Sequence, residues 1–113
     1  MKTHTLKLAT VPFESIKSGN KIIDSRLYDE KRREIELGDE IEFINRETGE
    51  ILLTKVVGLH RFKTFEDMFE RMESNKFGGK SKEWLLHQIS EFYSKEEQKK
   101  FGVVGIEIDL KVK

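Results

Sequence analysis

Apolar and polar residues alternate with a period of two in several stretches of the chain, the pattern of half-buried strands. In residues 3–9 (THTLKLA), Leu6 and Leu8 share one face and Lys7 takes the other. Residues 20–27 (NKIIDSRL) read as a second strand, entered from Gly19. Residues 39–45 (DEIEFIN) turn Ile41 and Phe43 inward, RETGE at 46–50 is a hairpin turn with a glycine for positive φ, and 51–60 (ILLTKVVGLH) return as a β-branched strand. Gly58 marks a bulge or bend in that strand. Residues 103–112 close the chain, with Val104, Ile106, Ile108, Leu110 and Val112 on one parity.

Other stretches carry helical spacing. Residues 11–19 place Phe13 and Ile16 three apart, with Pro12 as the first helical residue and Gly19 as the stop. Residues 28–38 are polar and read as a loop with room for one turn of helix. In 64–72, Phe65, Met68, Phe69 and Met72 recur at three and four, and Thr64 and Asp67 suit the N-terminus. Residues 81–93 line up Trp84, Leu85, Ile89 and Phe92, and Ser94 with Glu97 opens a further helix by a capping box that ends at Gly102. The aromatic and methionine stripes read as core. The order predicts an α+β fold: one domain over residues 1–113, with about five strands in a small curled sheet or barrel and flanking helices.

Length and composition narrow the function. A chain of 113 residues buries a core without staples, and its lack of cysteine excludes disulfides and thiolate metal sites. No apolar run approaches the roughly 20 residues that span a bilayer. The first 19 residues lack the pattern of a secretory signal, so a cytoplasmic location is expected. Twenty-one basic residues meet twenty-one acidic ones, which argues against a protein that wraps a duplex and leaves room for a small nucleotide site. Local surpluses remain: residues 17–33 hold six basic and three acidic side chains, and 55–63 hold three basic and none acidic.

Most familiar chemistry is missing. NKFGGKS at 75–81 ends like a phosphate loop but has Ser74 where the pattern needs glycine and a helix where it needs a strand, so it reads as an inter-helix loop capped by Ser81. His4, His60 and His87 lack paired metal spacing and read as surface or edge residues. No G-x-S-x-G elbow occurs. The unusual segment is GNKIIDSRL. Alternation puts Ile22, Asp24 and Arg26 on one face and Lys21, Ile23, Ser25 and Leu27 on the other, so neither face is cleanly apolar. Either the charges protect an exposed edge strand, or a bulge re-aims Lys21 to join Asp24 and Arg26 in a charged pocket.

SGNKIIDSR resembles the G-x-K-x-x-E-x-R signature of ASCH domains, a group within the PUA-like superfamily. Gly19, Lys21 and Arg26 match, and Asp24 replaces the glutamate. IELGDEIEF is similar to the family's G-D-x-I-x-F segment at Gly38, Asp39, Ile41 and Phe43, and residues 91–108 are similar to its tyrosine-serine-acidic stretch and final strand. The resemblance implies a PUA-like β-barrel whose cleft is lined by Lys21, Asp24 and Arg26. It implies an RNA- or nucleotide-binding module whose partner is short single-stranded RNA or a nucleoside. It also admits an amidohydrolase that deacetylates N4-acetylcytidine, as some small bacterial members do with the signature lysine, a hydroxyl residue three positions on and a later glutamate. Lys21 matches that lysine, Asp24 stands in place of the threonine, and Glu73 and Glu83 are the candidates for the glutamate. Ribonuclease activity has been attributed to the family, and a protein-interaction module is the remaining alternative. None of these calls for a metal or cofactor. Asp24 favours the Lys21 ammonium and so a gripping role, while Arg26 opposes it. Binding is expected in the cleft, away from the helices of the second half.

Overall fold

The computed structural model describes residues 1–110, and Val112 lies outside them. Along the chain run β1 (Thr3–Leu8), α1 (Thr10–Ser18), β2 (Ile23–Leu27), α2 (Glu30–Arg33), β3 (Glu40–Asn45), β4 (Ile51–Phe62), α3 (Phe65–Arg71), a 3-10 turn (Ser74–Lys76), α4 (Lys82–Ser90), α5 (Lys95–Phe101) and β5 (Val103–Leu110). The strands form one curled sheet in the order β1-β3-β4-β5-β2, with β1 parallel to β3 and the other pairs antiparallel. The sheet is a half-barrel, so the expected α+β architecture holds.

Local chemistry accounts for most boundaries. α1 begins at Thr10, two residues before the expected start at Pro12, so Pro12 sits inside its first turn, where a missing N–H costs nothing. Gly19 ends it at φ 89°, donating its N–H to the Ile16 carbonyl. The polar stretch at 28–38 does fold one turn, α2, because the Asp29 carboxylate accepts from the Arg32 N–H. Thr64, Ser81 and Ser94 cap α3, α4 and α5, the last with the full capping box. The hairpin between β3 and β4 is held by Asn45, whose Oδ1 accepts from the N–H groups of Glu47 and Thr48. β4 shifts register between Val56 and Gly58, and a Cβ at Gly58 would stand 2.9 Å from the Glu107 carboxylate and 3.0 Å from His60, so any larger residue at this bulge must displace that pair.

The sheet is covered on both faces. Leu6, Phe13, Ile16, Ile41, Phe43, Val104, Ile106 and Ile108 pack in the curl beneath α1. Ile23, Leu27, Phe65, Met68, Phe69, Phe77, Leu85 and Val103 form a second core between sheet and helices. β5 feeds both, which is why Val103 is as buried as its out-of-parity neighbour Val104. Gly105 lets the helices approach, since a Cβ there would meet Ile23 and the Met68 sulfur at 3.0 Å.

Asp39, in the turn before β3, ties the parallel pair together. Its carboxylate accepts from the N–H of Lys2 at 3.1 Å and of Glu36 at 3.0 Å, and lies 2.8 Å from His4 Nε2. The His4 bond, with help from the two N–H groups and against the cost of burial, holds its carboxyl at about 2, below the ordinary 3.8. The folded state therefore prefers the carboxylate. That stabilisation is complete above the ordinary value and is lost as pH falls through about 2. Asp39→Ala should cost about 1–3 kcal/mol at neutral pH in chemical denaturation. Melting temperatures recorded from neutral pH down to about 2 should show a shallower acid limb for Asp39→Ala than for the wild type.

Candidate functional site

Curling brings the two edge strands, β1 and β2, close enough for one side chain to join them. Arg26 on β2 donates from Nε to Asp24 Oδ2 at 2.6 Å and from its terminal nitrogen to the Lys7 carbonyl of β1 at 3.1 Å. Asp24 and Arg26 share the parity expected from strand alternation, and both are buried. Lys21 does not follow that parity. Its N–H bonds to the Ser15 carbonyl and it makes an isolated bridge to Phe77, while the next N–H, of Ile22, goes to the Lys76 carbonyl. α1 and the loop after α3 thus pull residues 21–22 away from regular pairing, and Lys21 Nζ comes to 4.0 Å from Asp24 Oδ1. Gly78 permits this contact, at φ 78° and with its missing Cβ 3.0 Å from the Lys21 Cβ.

The cluster is nearly closed to solvent, with side-chain exposures of 16% for Lys21, 3% for Asp24 and 10% for Arg26. Burial works against the Arg26 charge, but the Asp24 carboxylate and the Tyr93 hydroxyl outweigh it and raise the guanidinium pKa. At Lys21 the balance reverses. Burial lowers the ammonium pKa, Asp24 raises it and Arg26 lowers it further, and the net direction is down. The expected opposition between Asp24 and Arg26 is present, and burial outweighs both.

The three residues line a cavity of about 380 Å³. Lys7 and Arg46 line it from the sheet side, Phe69, Phe77 and Leu85 form its apolar wall, and Trp84, Gln88, Phe92 and Tyr93 come from α4 and the segment after it. The second-half helices, expected to lie away from the cleft, supply one of its walls. Trp84 and Phe92, expected in the core, are 41% and 63% exposed. The physical reason is that α4 stops at Ser90, so Phe92 leaves the helical stripe. Tyr93 turns inward instead and stacks on Phe65 at 5.6 Å.

The other candidates fall elsewhere. Glu73 caps the 3-10 turn and Glu83 sits in the first turn of α4; both are exposed and neither lines the cavity, whose glutamate is Glu91. His87 is exposed on α4, His4 pairs with Asp39, and His60 lies 2.8 Å from Glu107. Among the described residues no group of three or more His, Asp or Glu side chains is placed to hold a metal ion, and no helix is long and apolar enough to cross a membrane.

A five-stranded half-barrel flanked by helices, with a polar cluster at the seam between its edge strands, is the PUA-like fold. The chain belongs to the ASCH domain family, whose model matches residues 6–111. It is similar to hypothetical protein PH0355, known from a crystal structure, at 41% identity over 98% of this chain and 100% of that one, with a TM-score of 0.85. It is also similar to protein PF0455 from Pyrococcus furiosus, solved by NMR, at 38% identity over 97% of each chain and a TM-score of 0.75. The ASCH domain from Lactobacillus crispatus shares the fold at 13% identity and a TM-score of 0.63, over 96% of this chain and 79% of that one. A comparison with the curated proteins finds no match.

Removing one member of a buried ion pair strands the other charge. Asp24→Leu should therefore destabilise the protein by about 3–5 kcal/mol in urea denaturation. The double variant Asp24→Leu/Arg26→Met should regain most of that loss, and strict additivity of the two single changes would show that the pair is not coupled.

Proposed function

We propose that this ASCH domain binds single-stranded RNA and takes one nucleotide into the cavity between β1, β2 and α4. The observation that carries the reading is the Lys21–Asp24 pair, a half-buried lysine 4.0 Å from a buried carboxylate, in a cavity of about 380 Å³ with an apolar wall. That volume is in the range of small-ligand sites, roughly 300–1,000 Å³. Asp24 gives Oδ2 to Arg26, which leaves Oδ1 to accept from a base amine or ring N–H while Lys21 donates to a neighbouring carbonyl or ring nitrogen. Arg26 orients Asp24 and adds positive potential. The family's general association with RNA points the same way, and the even balance of charge suits a ligand with few phosphates.

Lys21→Ala should weaken binding of a short RNA by about ten- to a hundredfold in calorimetry, the loss of one hydrogen bond from a charged donor. Affinity should fall with salt at about −0.7 per phosphate contacted, with a total slope of few contacts. Because the Lys21 pKa is lowered, affinity should decline as pH rises at values below the 10.5 of an ordinary lysine. An RNA affinity indifferent to Lys21→Ala would overturn the reading.

One observation favours a second reading. A half-buried lysine with a lowered pKa is suited to proton transfer, which hydrolysis of the N4-acetylcytidine amide requires. Product analysis by liquid chromatography decides it. Turnover by the wild type that vanishes in Lys21→Ala makes the domain an amidohydrolase. Turnover that emerges only in Asp24→Thr shows that Asp24 keeps Lys21 in a binding role.

A further inference from the structure

We propose that the mouth of the cavity carries a second subsite: Trp84 and Phe92 form a stacking platform for the base next to the one in the cavity, and Lys7 and Arg46 hold the phosphate between them. The inference rests on the RNA reading above and extends it from one nucleotide to two.

The two rings stand out by their exposure. Phe13, Phe43, Phe65, Phe69 and Phe77 are all buried, whereas Trp84 and Phe92 open to solvent at the cavity rim. Both are held in place from behind. Phe92 adjoins Tyr93, with ring centroids 6.5 Å apart, and Tyr93 is anchored by stacking on Phe65 at 5.6 Å. The Trp84 backbone N–H donates to the capping Ser81 hydroxyl at 3.1 Å, which fixes the start of α4, and the ring itself packs against Gly79, where a Cβ would come to 3.0 Å from it. Rings already positioned lose little freedom when a base stacks on them.

Charge identifies the occupant. Lys7 and Arg46 are exposed, line the cavity from the sheet side, and have no carboxylate partner among the described residues. Their backbones are joined through β1, where the Arg46 N–H bonds to the Leu8 carbonyl at 2.8 Å. The lining carries four basic side chains against two acidic ones, Asp24 and Glu91, in a chain that is neutral as a whole. An apolar protein partner would cover two unpaired cations, whereas a phosphate flanked by bases uses both cations and rings.

Trp84 is the only tryptophan of the chain, so its fluorescence reports directly on the platform. The four ribonucleoside 5′-monophosphates and dinucleotides built from them are titrated into the full chain. The expected result is that the best dinucleotide binds about five- to a hundredfold tighter than the best mononucleotide and quenches Trp84. Trp84→Ala, which lacks the reporter and is followed by calorimetry, should bring the ratio of the two affinities close to one, and Phe92→Ala should lower it with Trp84 still in place to report. Lys7→Ala and Arg46→Ala should each flatten the salt dependence of dinucleotide binding. If mononucleotides bind in a Lys21-dependent way but dinucleotides bind no tighter and leave the fluorescence unchanged, the platform is overturned and the one-nucleotide reading stands. If neither binds, both fall. Self-association in sedimentation that Phe92→Ala abolishes, with no gain from the second nucleotide, assigns the rim to another copy of the chain and overturns the proposal.

Discussion

The guanidinium of Arg26 closes a gap that the backbone leaves open. A five-stranded sheet that curls without completing a barrel has two free edges, here β1 and β2. Arg26 reaches from one edge to the Lys7 carbonyl of the other and binds Asp24 on the way. A ladder of backbone hydrogen bonds across the same seam would have filled the space with main chain. A single side-chain bridge links the edges and leaves room beside it for the cavity. The bridge depends on Asp24, because a guanidinium buried this far needs a carboxylate to offset its loss of solvent. The charge pattern of the signature is therefore structural and chemical at once: the same two groups hold the seam and line the space it leaves.

Lys21 shows how competing terms are settled by magnitude. Reasoning from neighbours alone sets Asp24 against Arg26 and favours the ammonium. Burial then acts on the same group in the opposite direction, and with the side chain only 16% exposed it prevails. The resulting lysine is a charged donor held in a place that disfavours its charge. Such a group gains from a ligand that supplies an acceptor, which is the physical link between its burial and the binding reading.

The parts of this fold that were legible in the sequence are those set by near neighbours. Caps at Thr64, Ser81 and Ser94, the Gly19 stop, the Asn45 hairpin region and the bulge at Gly58 follow from a few adjacent residues. The ASCH signature names Lys21, Asp24 and Arg26, and the fold brings these three side chains together. What stayed hidden was set by distant contacts. Nothing local says that Phe77 bridges to Lys21 or that the Lys76 carbonyl takes the Ile22 N–H. Phe92 has helical spacing, which assigns it to a buried stripe only if the helix continues past Ser90, and Trp84, inside α4, is 41% exposed because the stripe turns Leu85 and not Trp84 to the core. Glu73 and Glu83 lie in the matching region of the sequence but are both exposed; Glu91, eight residues beyond Glu83, is the glutamate at the cavity. An early end to α4 was the one signal that would have found the rim, and the SEFYS run offers no glycine or proline to announce it.

The parallel pairing of β1 with β3 has a kinetic meaning. Thr3 lies beside Glu40, so α1, β2 and α2 must all be threaded between two strands that meet directly. The cavity adds further distant closures, with Lys21 fastened to Phe77 and the first strand's Lys7 to Arg26. Local hairpins form quickly, but contacts of this separation incur loop-closure entropy before they return any stabilisation. The pocket therefore cannot be complete until these distant contacts have closed. No fragment that lacks either half of the sequence can hold it, and a nascent chain acquires the site only once β5 has left the ribosome and closed the sheet against β2.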